Sequence, residues 1–124
     1  MTMLKFKFLL WMMPKLLQRA INTKSACARY VTGKTLEFQI QTADKVGRYF
    51  RINDGKVQSF AGLSKNPKFT LTFRNADRGF KILSAKDGKE AFLAALHDED
   101  LVISGDFVEV LWFQGFTDYL QPDK

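Results

Sequence analysis

The spacing of apolar residues changes twice along this chain, and these changes limit the fold more than any other feature. From Thr35 to Phe73, apolar and polar residues alternate in four short segments, which is typical of strands with one buried face. Before Thr35 and after Asn75, the apolar residues instead recur at helical spacing. A further short strand is predicted from Leu101 to Ser104. The predicted order is therefore helix, four strands, two helices, strand and helix.

Local signals mark several of the boundaries between these elements. Asp54-Gly55 predicts a tight hairpin turn, because glycine readily adopts the positive φ that such turns need. Asn75 precedes the first of the later helices, and its side-chain oxygen can accept from the free N–H groups of the first turn. Two acidic pairs have the spacing of a capping box, Asp87 with Glu90 and Asp106 with Glu109.

Strands and helices that each have one apolar face are stable when they cover each other. We therefore predict an α+β fold of two layers, in which a sheet of about five mostly antiparallel strands is covered on one face by helices. A basic helical segment over residues 1–32 is expected to precede a domain over residues 33–121. The terminal helix is predicted to face the sheet with a stripe formed by Val108, Leu111, Trp112, Phe116, Tyr119 and Leu120.

The facing apolar surfaces allow two interpretations. Twelve of the 124 residues are Phe, and such a load of large apolar side chains either fills an interior or lines a cavity. A cavity between the layers would bind an apolar lipid by removing its surface from water. The candidate ligand-binding residues are Phe69, Leu71, Phe73, Phe80, Leu83, Phe92, Leu96, Leu111, Trp112 and Phe116. The sequence leaves open whether this interface is filled or hollow.

The positive charge is concentrated at the N-terminus. No Asp or Glu occurs before Glu37, whereas seven Lys and Arg residues do, and the formal charge of the whole chain is +6. A basic apolar helix of this kind suits an anionic membrane surface better than a nucleic-acid groove, although it could equally dock on the domain. The candidate membrane-contact residues are Lys5, Lys7, Phe8, Trp11, Lys15 and Arg19.

The same segment does not read as a membrane span. Its longest unbroken apolar run, Phe8 to Met13, is far shorter than the roughly 20 residues that a transmembrane helix needs. An acid-free basic helix also resembles an organelle presequence, and the sequence leaves that alternative open. The single cysteine, Cys27, excludes an internal disulfide and is compatible with a reducing compartment. We expect a cytoplasmic protein that is peripheral on the inner face of the membrane.

The residues that carry catalysis in other proteins are sparse here. A thiol nucleophile would need a base, and the single histidine, His97, is the only candidate partner for Cys27. The run His97 to Asp100 fits a solvated turn better than a metal site. A basic set near the fourth strand gives a weak nucleic-acid signal, formed by Lys65, Lys68, Arg74, Arg78 and Lys81. We expect no catalytic residue, no metal, no cofactor and no nucleic-acid partner.

Three stretches resemble the sterol carrier protein type 2 domain family. The first is Arg48 to Val57, a strand followed by an Asp-Gly turn and a second strand. The second is Phe69 to Phe73, which precedes a helix, and the third is Asp100 to Asp106, which precedes the terminal helix. The resemblance covers about Gly33 to Leu120. Within this family, the chain is also similar to bacterial stand-alone members that act as accessory factors of ubiquinone biosynthesis and have a basic apolar N-terminal helix. The chain ends without the peroxisomal tripeptide of the eukaryotic carrier.

The resemblance implies a lipid-binding, non-enzymatic module in which sheet and helices enclose an apolar tunnel. The expected function is a carrier that sequesters a sterol, an acyl chain or a polyisoprenoid quinone and associates peripherally with the membrane. The alternative is an accessory or scaffold protein in ubiquinone biosynthesis. In that case Val110, Phe113 and the N-terminal helix would form a homodimer or hold partner enzymes.

Overall fold

The computed structural model describes residues 2–85 and 88–120. Asp87, predicted to start a helix, and Gln121, the last residue of the predicted domain, lie outside them. Within the described residues the elements follow in this order: α1 (Thr2–Thr23), α2 (Ser25–Val31), β1 (Thr35–Thr42), β2 (Gly47–Asn53), β3 (Lys56–Ala61), β4 (Phe69–Phe73), α3 (Ala76–Leu83), α4 (Gly88–His97), β5 (Leu101–Gly105), α5 (Phe107–Thr117) and a 3-10 turn (Asp118–Leu120).

The five strands form one open, mixed sheet in the order β3-β2-β1-β4-β5. The β1–β4 pair is parallel, and the other three pairs are antiparallel. The β2–β3 hairpin turns at Asp54 and Gly55 with φ of 47° and 89°, as the Asp-Gly signal predicts. The predicted α+β class, the element order and the mostly antiparallel sheet are confirmed.

The inner face of the sheet is built on stacked phenylalanines. The register pairs Phe38 with both Phe50 and Phe69, so the three rings lie side by side across β2, β1 and β4. The Phe38 ring centroid is 5.1 Å from that of Phe50 and 4.9 Å from that of Phe69. Phe113 of α5 contacts this row at 4.5 Å from Phe38, and all four side chains are buried. This contact joins the sheet to the helical layer.

The outer face of the sheet is polar and carries its own hydrogen bonds. Gln39 Nε2 donates to Thr70 Oγ1 at 3.0 Å, which links β1 to β4. Glu37 accepts from the Ser64 hydroxyl and from Arg51 Nη2, the latter at 2.9 Å. The bond from Ser64, and then that from Arg51, lowers the pKa of Glu37 below its usual value. These polar contacts distinguish this part of the outer face from the apolar inner face that the helices cover.

The N-terminal segment shares the core of the domain. The inward face of α1 buries Phe6, Leu10, Met13, Leu17 and Ala20, and the ring of Phe6 meets Phe73 of β4 edge-on at 6.4 Å. Pro14 does not interrupt α1, which runs through it. Proline removes one intrahelical hydrogen bond, and the buried side chains before and after it hold both halves of the helix against the same core. The short helix α2 lies within the helical segment predicted over residues 1–32, but the sequence pattern did not separate it from α1.

The starts of α3 and α5 follow the sequence in part. Asn75 Oδ1 accepts from Arg78 N at 2.9 Å, and Asp106 Oδ1 accepts from Val108 N at 3.0 Å. Both predicted caps are therefore present. The return half of the capping box at Glu109 is absent, because its carboxylate pairs with the ammonium of Lys34 at 2.5 Å.

The predicted apolar stripe of the terminal helix is wrong at Val108 and Leu111, whereas Phe116 is buried and Trp112, Tyr119 and Leu120 pack against the core. The buried side chains of α5 are Val110, Phe113 and Phe116, whereas Val108 is 72% exposed and Leu111 is 53% exposed. Almost every residue of this helix is apolar, so spacing alone does not single out one face; contact with the phenylalanine row does. Since Val110 and Phe113 are buried, the dimer contact predicted for them is not on the surface.

Truncation of the central ring tests the role of the phenylalanine row. Phe38→Ala removes the ring that touches Phe50, Phe69 and Phe113, so we expect the free energy of unfolding to fall by about 3–5 kcal/mol. The measurement is urea unfolding followed by circular dichroism. The exposed Val108→Ala is the control and should change stability by less than about 0.5 kcal/mol. Equal effects of the two substitutions would contradict the central role of this ring in the core.

Candidate functional site

An apolar cavity lies where the helices meet β4. Leu71 forms its sheet side, and α1, α3, α4, α5 and the 3-10 turn supply the rest. The lining side chains are mostly apolar, with polar groups only from the end of α5 and the turn that follows it. The lining residues are Met13, Leu71, Ile82, Leu83, Ala85, Gly88, Phe92, Phe113, Gln114, Thr117, Asp118 and Leu120.

The cavity is small in this conformation. Its volume is about 70 Å³, whereas pockets for small-molecule ligands span about 300–1,000 Å³. The phenylalanine row and the α1 side chains occupy the remaining space between the layers. The cavity therefore has apolar walls that suit part of a ligand, but in this conformation it has no room for a whole lipid chain.

Three of the ten predicted ligand-binding residues line this cavity: Leu71, Leu83 and Phe92. Phe69 and Phe73 are buried in the phenylalanine core, and Phe80 and Leu96 are half-buried outside the lining. Leu111, Trp112 and Phe116 face elsewhere on α5. The sequence pattern did not identify Met13 and Ile82, which line the cavity from α1 and α3. Their positions on the apolar faces of α1 and α3 were the available signal.

Trp112 belongs to a contact between α2 and α5. Its ring stacks on Tyr30 with centroids 5.3 Å apart, and the Tyr30 hydroxyl donates to the Trp112 carbonyl at 2.7 Å. Burial raises the pKa of Tyr30, which keeps this hydroxyl protonated as a donor. A Cβ at Gly115 would lie 2.4 Å from the same hydroxyl oxygen, so a larger residue here would displace the Tyr30 side chain from this contact. The contact ties the N-terminal helices to α5.

The outward face of α1 is a second candidate surface. We define it as Leu4, Lys5, Lys7, Phe8, Trp11, Lys15 and Arg19, all of which are exposed. Phe8 and Trp11 have ring centroids 5.9 Å apart, and Lys15 Nζ lies 4.4 Å from the Trp11 ring. None of the four cations of this face forms an ion pair with a residue that the structure describes. The helix thus docks with one face and presents a basic apolar face to solvent.

No helix within the described ranges has the length and apolar character that crossing a bilayer requires.

The two residues considered for catalysis lie in unlike surroundings. Cys27 is buried in α2, and burial raises the pKa of its thiol, opposed in part by Lys24. A thiolate nucleophile needs the opposite shift. His97 is exposed at the end of α4, with Nδ1 3.3 Å from Asp98 Oδ1. Among the described residues, no group of His, Cys, Asp and Glu side chains could hold a metal ion.

The basic set near the fourth strand is partly neutralised. Arg74 Nε lies 3.1 Å from Asp100, and Arg78 Nε lies 3.8 Å from the same carboxylate. Lys81 pairs with Asp77 at 3.3 Å. This surface therefore carries less net charge than the sequence suggests.

No protein-family model matches the sequence, and no curated protein does either. Solved structures are similar in fold. One of them, "UbiJ-SCP2 Ubiquinone synthesis protein", superposes with a TM-score of 0.69 at 13% identity, over 92% of this chain and 96% of that one. Sterol carrier protein 2 from Yarrowia lipolytica, in its apo form, gives 0.55 at 15% identity, over 90% and 91%.

A third structure contains the same fold as part of a larger chain. The stereoselective inverting sec-alkylsulfatase Pisa1 from Pseudomonas sp. gives a TM-score of 0.56 at 12% identity, over 78% of this chain and 14% of the sulfatase. At these identities the likeness concerns the arrangement of helices and strands. It agrees with the resemblance seen at the hairpin and at the strand before α5. The chain therefore has the sterol carrier protein 2 fold, and among these structures a ubiquinone synthesis protein shares that fold over nearly its whole length.

Proposed function

We propose that this protein is a non-catalytic carrier that sequesters an apolar lipid between its sheet and its helices. The observation that supports the proposal is the apolar cavity at the junction of β4 with five helical elements. Its walls are hydrocarbon except at one end, where Gln114, Thr117 and Asp118 could meet a polar head. A sterol, an acyl chain or a polyisoprenoid quinone would match this distribution. The likeness in fold to a ubiquinone synthesis protein favours the quinone among these classes.

Binding requires the cavity to grow several-fold, and the helical side is the side that can move. Leu71 lies in β4, whose backbone is hydrogen-bonded to β1 and β5 on its two sides. Ile82 and Leu83 on α3 are only half-buried, and the 3-10 turn with Leu120 is half-buried as well. Displacing these side chains exposes little additional apolar surface, because part of it is already in water. We infer that a lipid enters by separating α3 and α4 from the end of α5.

A cavity-blocking substitution tests the lipid site. Ala85 lines the cavity and is half-buried, so Ala85→Trp should fill the entrance and lower the affinity for a fluorescent fatty acid or for ubiquinone at least tenfold. The measurement is ligand titration together with native mass spectrometry of the lipid-incubated protein.

Ala94→Trp is the matched control, because Ala94 is exposed on α4 and does not line the cavity. It should bind as the wild type does. Failure of the wild type to retain any acyl, sterol or quinone ligand would contradict the carrier function. Equal binding by Ala85→Trp and Ala94→Trp would contradict the location of the site.

We further propose that the outward face of α1 holds the protein on an anionic membrane surface. Phe8 and Trp11 are 59% and 46% exposed, and cations flank them along the helix. Aromatic rings of this kind sit at the level of the lipid headgroups, and each nearby Lys or Arg adds about 1 kcal/mol of attraction to anionic lipid. Peripheral attachment at the inner face of the membrane would give a carrier direct access to its lipid.

Charge reversal tests the membrane surface. Replacing Lys5, Lys7, Lys15 and Arg19 by Glu should remove most binding to vesicles of phosphatidylcholine with one third phosphatidylglycerol, measured by co-sedimentation at physiological salt. The control reverses four exposed cations elsewhere, namely Arg29, Lys56, Lys65 and Lys68, and so matches the change in net charge. Equal loss in the two variants would show a net-charge effect, which would contradict a specific role for α1.

A second candidate function is that of an accessory or scaffold protein in ubiquinone biosynthesis. It is favoured by three exposed apolar side chains on the first two turns of α5: Phe107, Val108 and Leu111. Their helix follows directly after β5, which is an edge strand of the sheet. Exposed apolar patches of this kind often mark protein contacts, either with a second copy or with a partner enzyme.

The scaffold function predicts a self-association that depends on α5. The double substitution Val108→Glu with Leu111→Glu should shift a wild-type dimer to monomer in analytical ultracentrifugation. Leu93→Glu places a charge at an equally exposed apolar position on α4 and should leave the dimer intact. A monomeric wild type at the highest soluble concentration would contradict homodimerisation through this surface.

A further inference from the structure

Two open grooves run between α1 and the β2–β3 hairpin, and they meet at one arginine. The larger has a volume of about 770 Å³ and the smaller about 440 Å³. Trp11, Lys15, Arg19 and Phe60 are among the residues lining the larger groove, and Lys7 and Lys45 line the smaller. Arg48 lines both. Neither groove is part of the apolar cavity beside β4.

Arg48 occupies an unusual position for a charged side chain. It alternates with Phe50 and Ile52 on β2 and so points to the same inner face of the sheet, where both of those side chains are fully buried. Its Nη2 donates to Ser59 Oγ on β3 at 3.1 Å. Its Nε is buried and has no hydrogen-bond partner among the described residues. A buried donor left without an acceptor destabilises the fold, which favours an acceptor supplied from outside the chain.

All the charged side chains that line the two grooves with Arg48 are positive. Lys7, Lys15, Arg19 and Lys45 line the two grooves with it, and no Asp or Glu is among the described residues that do so. Like charges along the same grooves repel one another, and an anion bound between them would lower this repulsion. A phosphate can accept two parallel hydrogen bonds from the guanidinium fork and is attracted to the surrounding ammonium groups.

We propose that these grooves bind the phosphate of an anionic glycerophospholipid headgroup, with Arg48 as its central ligand. Continuity with the outward face of α1 identifies the phosphate as that of a lipid. Trp11 belongs both to that face and to the larger groove, and its ring places the groove at headgroup depth when α1 lies on a bilayer. Val57 adds apolar surface for the glycerol and the first carbons of the chains.

This site goes beyond the proposed carrier function but rests on the proposed membrane association of α1. A single lipid held in the grooves would fix the orientation of the protein on the membrane. The cations of the outward face alone would attract it in many orientations, because ammonium groups on an exposed helix bind the surface without a defined geometry.

The test compares Arg48→Met with Arg29→Met. The first removes the guanidinium but keeps a long apolar stem, and the second removes the same charge from an exposed position outside both grooves. The probes are short-chain dihexanoyl phosphatidylglycerol below its micelle concentration, dihexanoyl phosphatidylcholine and inorganic phosphate, each titrated by NMR. We expect Arg48→Met to weaken phosphatidylglycerol binding about tenfold or more and Arg29→Met to leave it unchanged.

Thermal unfolding without lipid provides the second readout. Arg48→Met should unfold at the wild-type temperature or higher, since it removes an unpaired buried donor, whereas an arginine kept for stability would give a lower temperature. Equal binding by both variants, a marked loss of stability in Arg48→Met, or equal affinity for inorganic phosphate and phosphatidylglycerol would overturn the headgroup site. If the wild-type protein does not bind the short-chain lipid but still sediments with anionic vesicles, the headgroup site alone is contradicted and the proposed membrane association is not.

Discussion

The row of phenylalanine rings on the inner face of the sheet is the contact on which the rest of the structure depends. Phe38 lies in the central strand, so its ring is positioned by hydrogen-bonded neighbours on both sides, and Phe113 reaches it from the opposite layer. Aromatic side chains of this size contribute most of the buried surface in a small domain. Because the row selects which side of α5 turns inward, it also decides which apolar residues of that helix remain in water.

The same row explains why the apolar cavity is small and off-centre. Stacked rings fill the middle of the interface, and free volume remains only at the edge where α3, α4 and the end of α5 meet β4. A carrier built in this way would keep a closed core when empty and open along its helical edge when loaded. The sheet would serve as the fixed wall.

The helix α1 has two different faces, for which the sequence offered docking on the domain or membrane contact as alternatives. Its inward face completes the core through Phe6 and Leu10, while its outward face keeps exposed aromatic and basic residues. Docking on the domain and contact with a membrane are therefore compatible, because residues about 100° apart around a helix axis divide readily between two faces. The fold thereby brings a basic surface and two charged grooves to the same side of the molecule.

The sequence by itself determined the strands, the Asp54-Gly55 turn, the caps at Asn75 and Asp106, and the two-layer class. These follow from interactions between residues close in the chain, where alternation reports directly which side chains share a face. The tertiary structure decided the buried face of α5, the continuity of α1 through Pro14, the size of the cavity and the placing of Arg48. Each of these depends on which distant side chains meet, and a mostly apolar helix or a lone arginine in a strand carries no local sign of its partner.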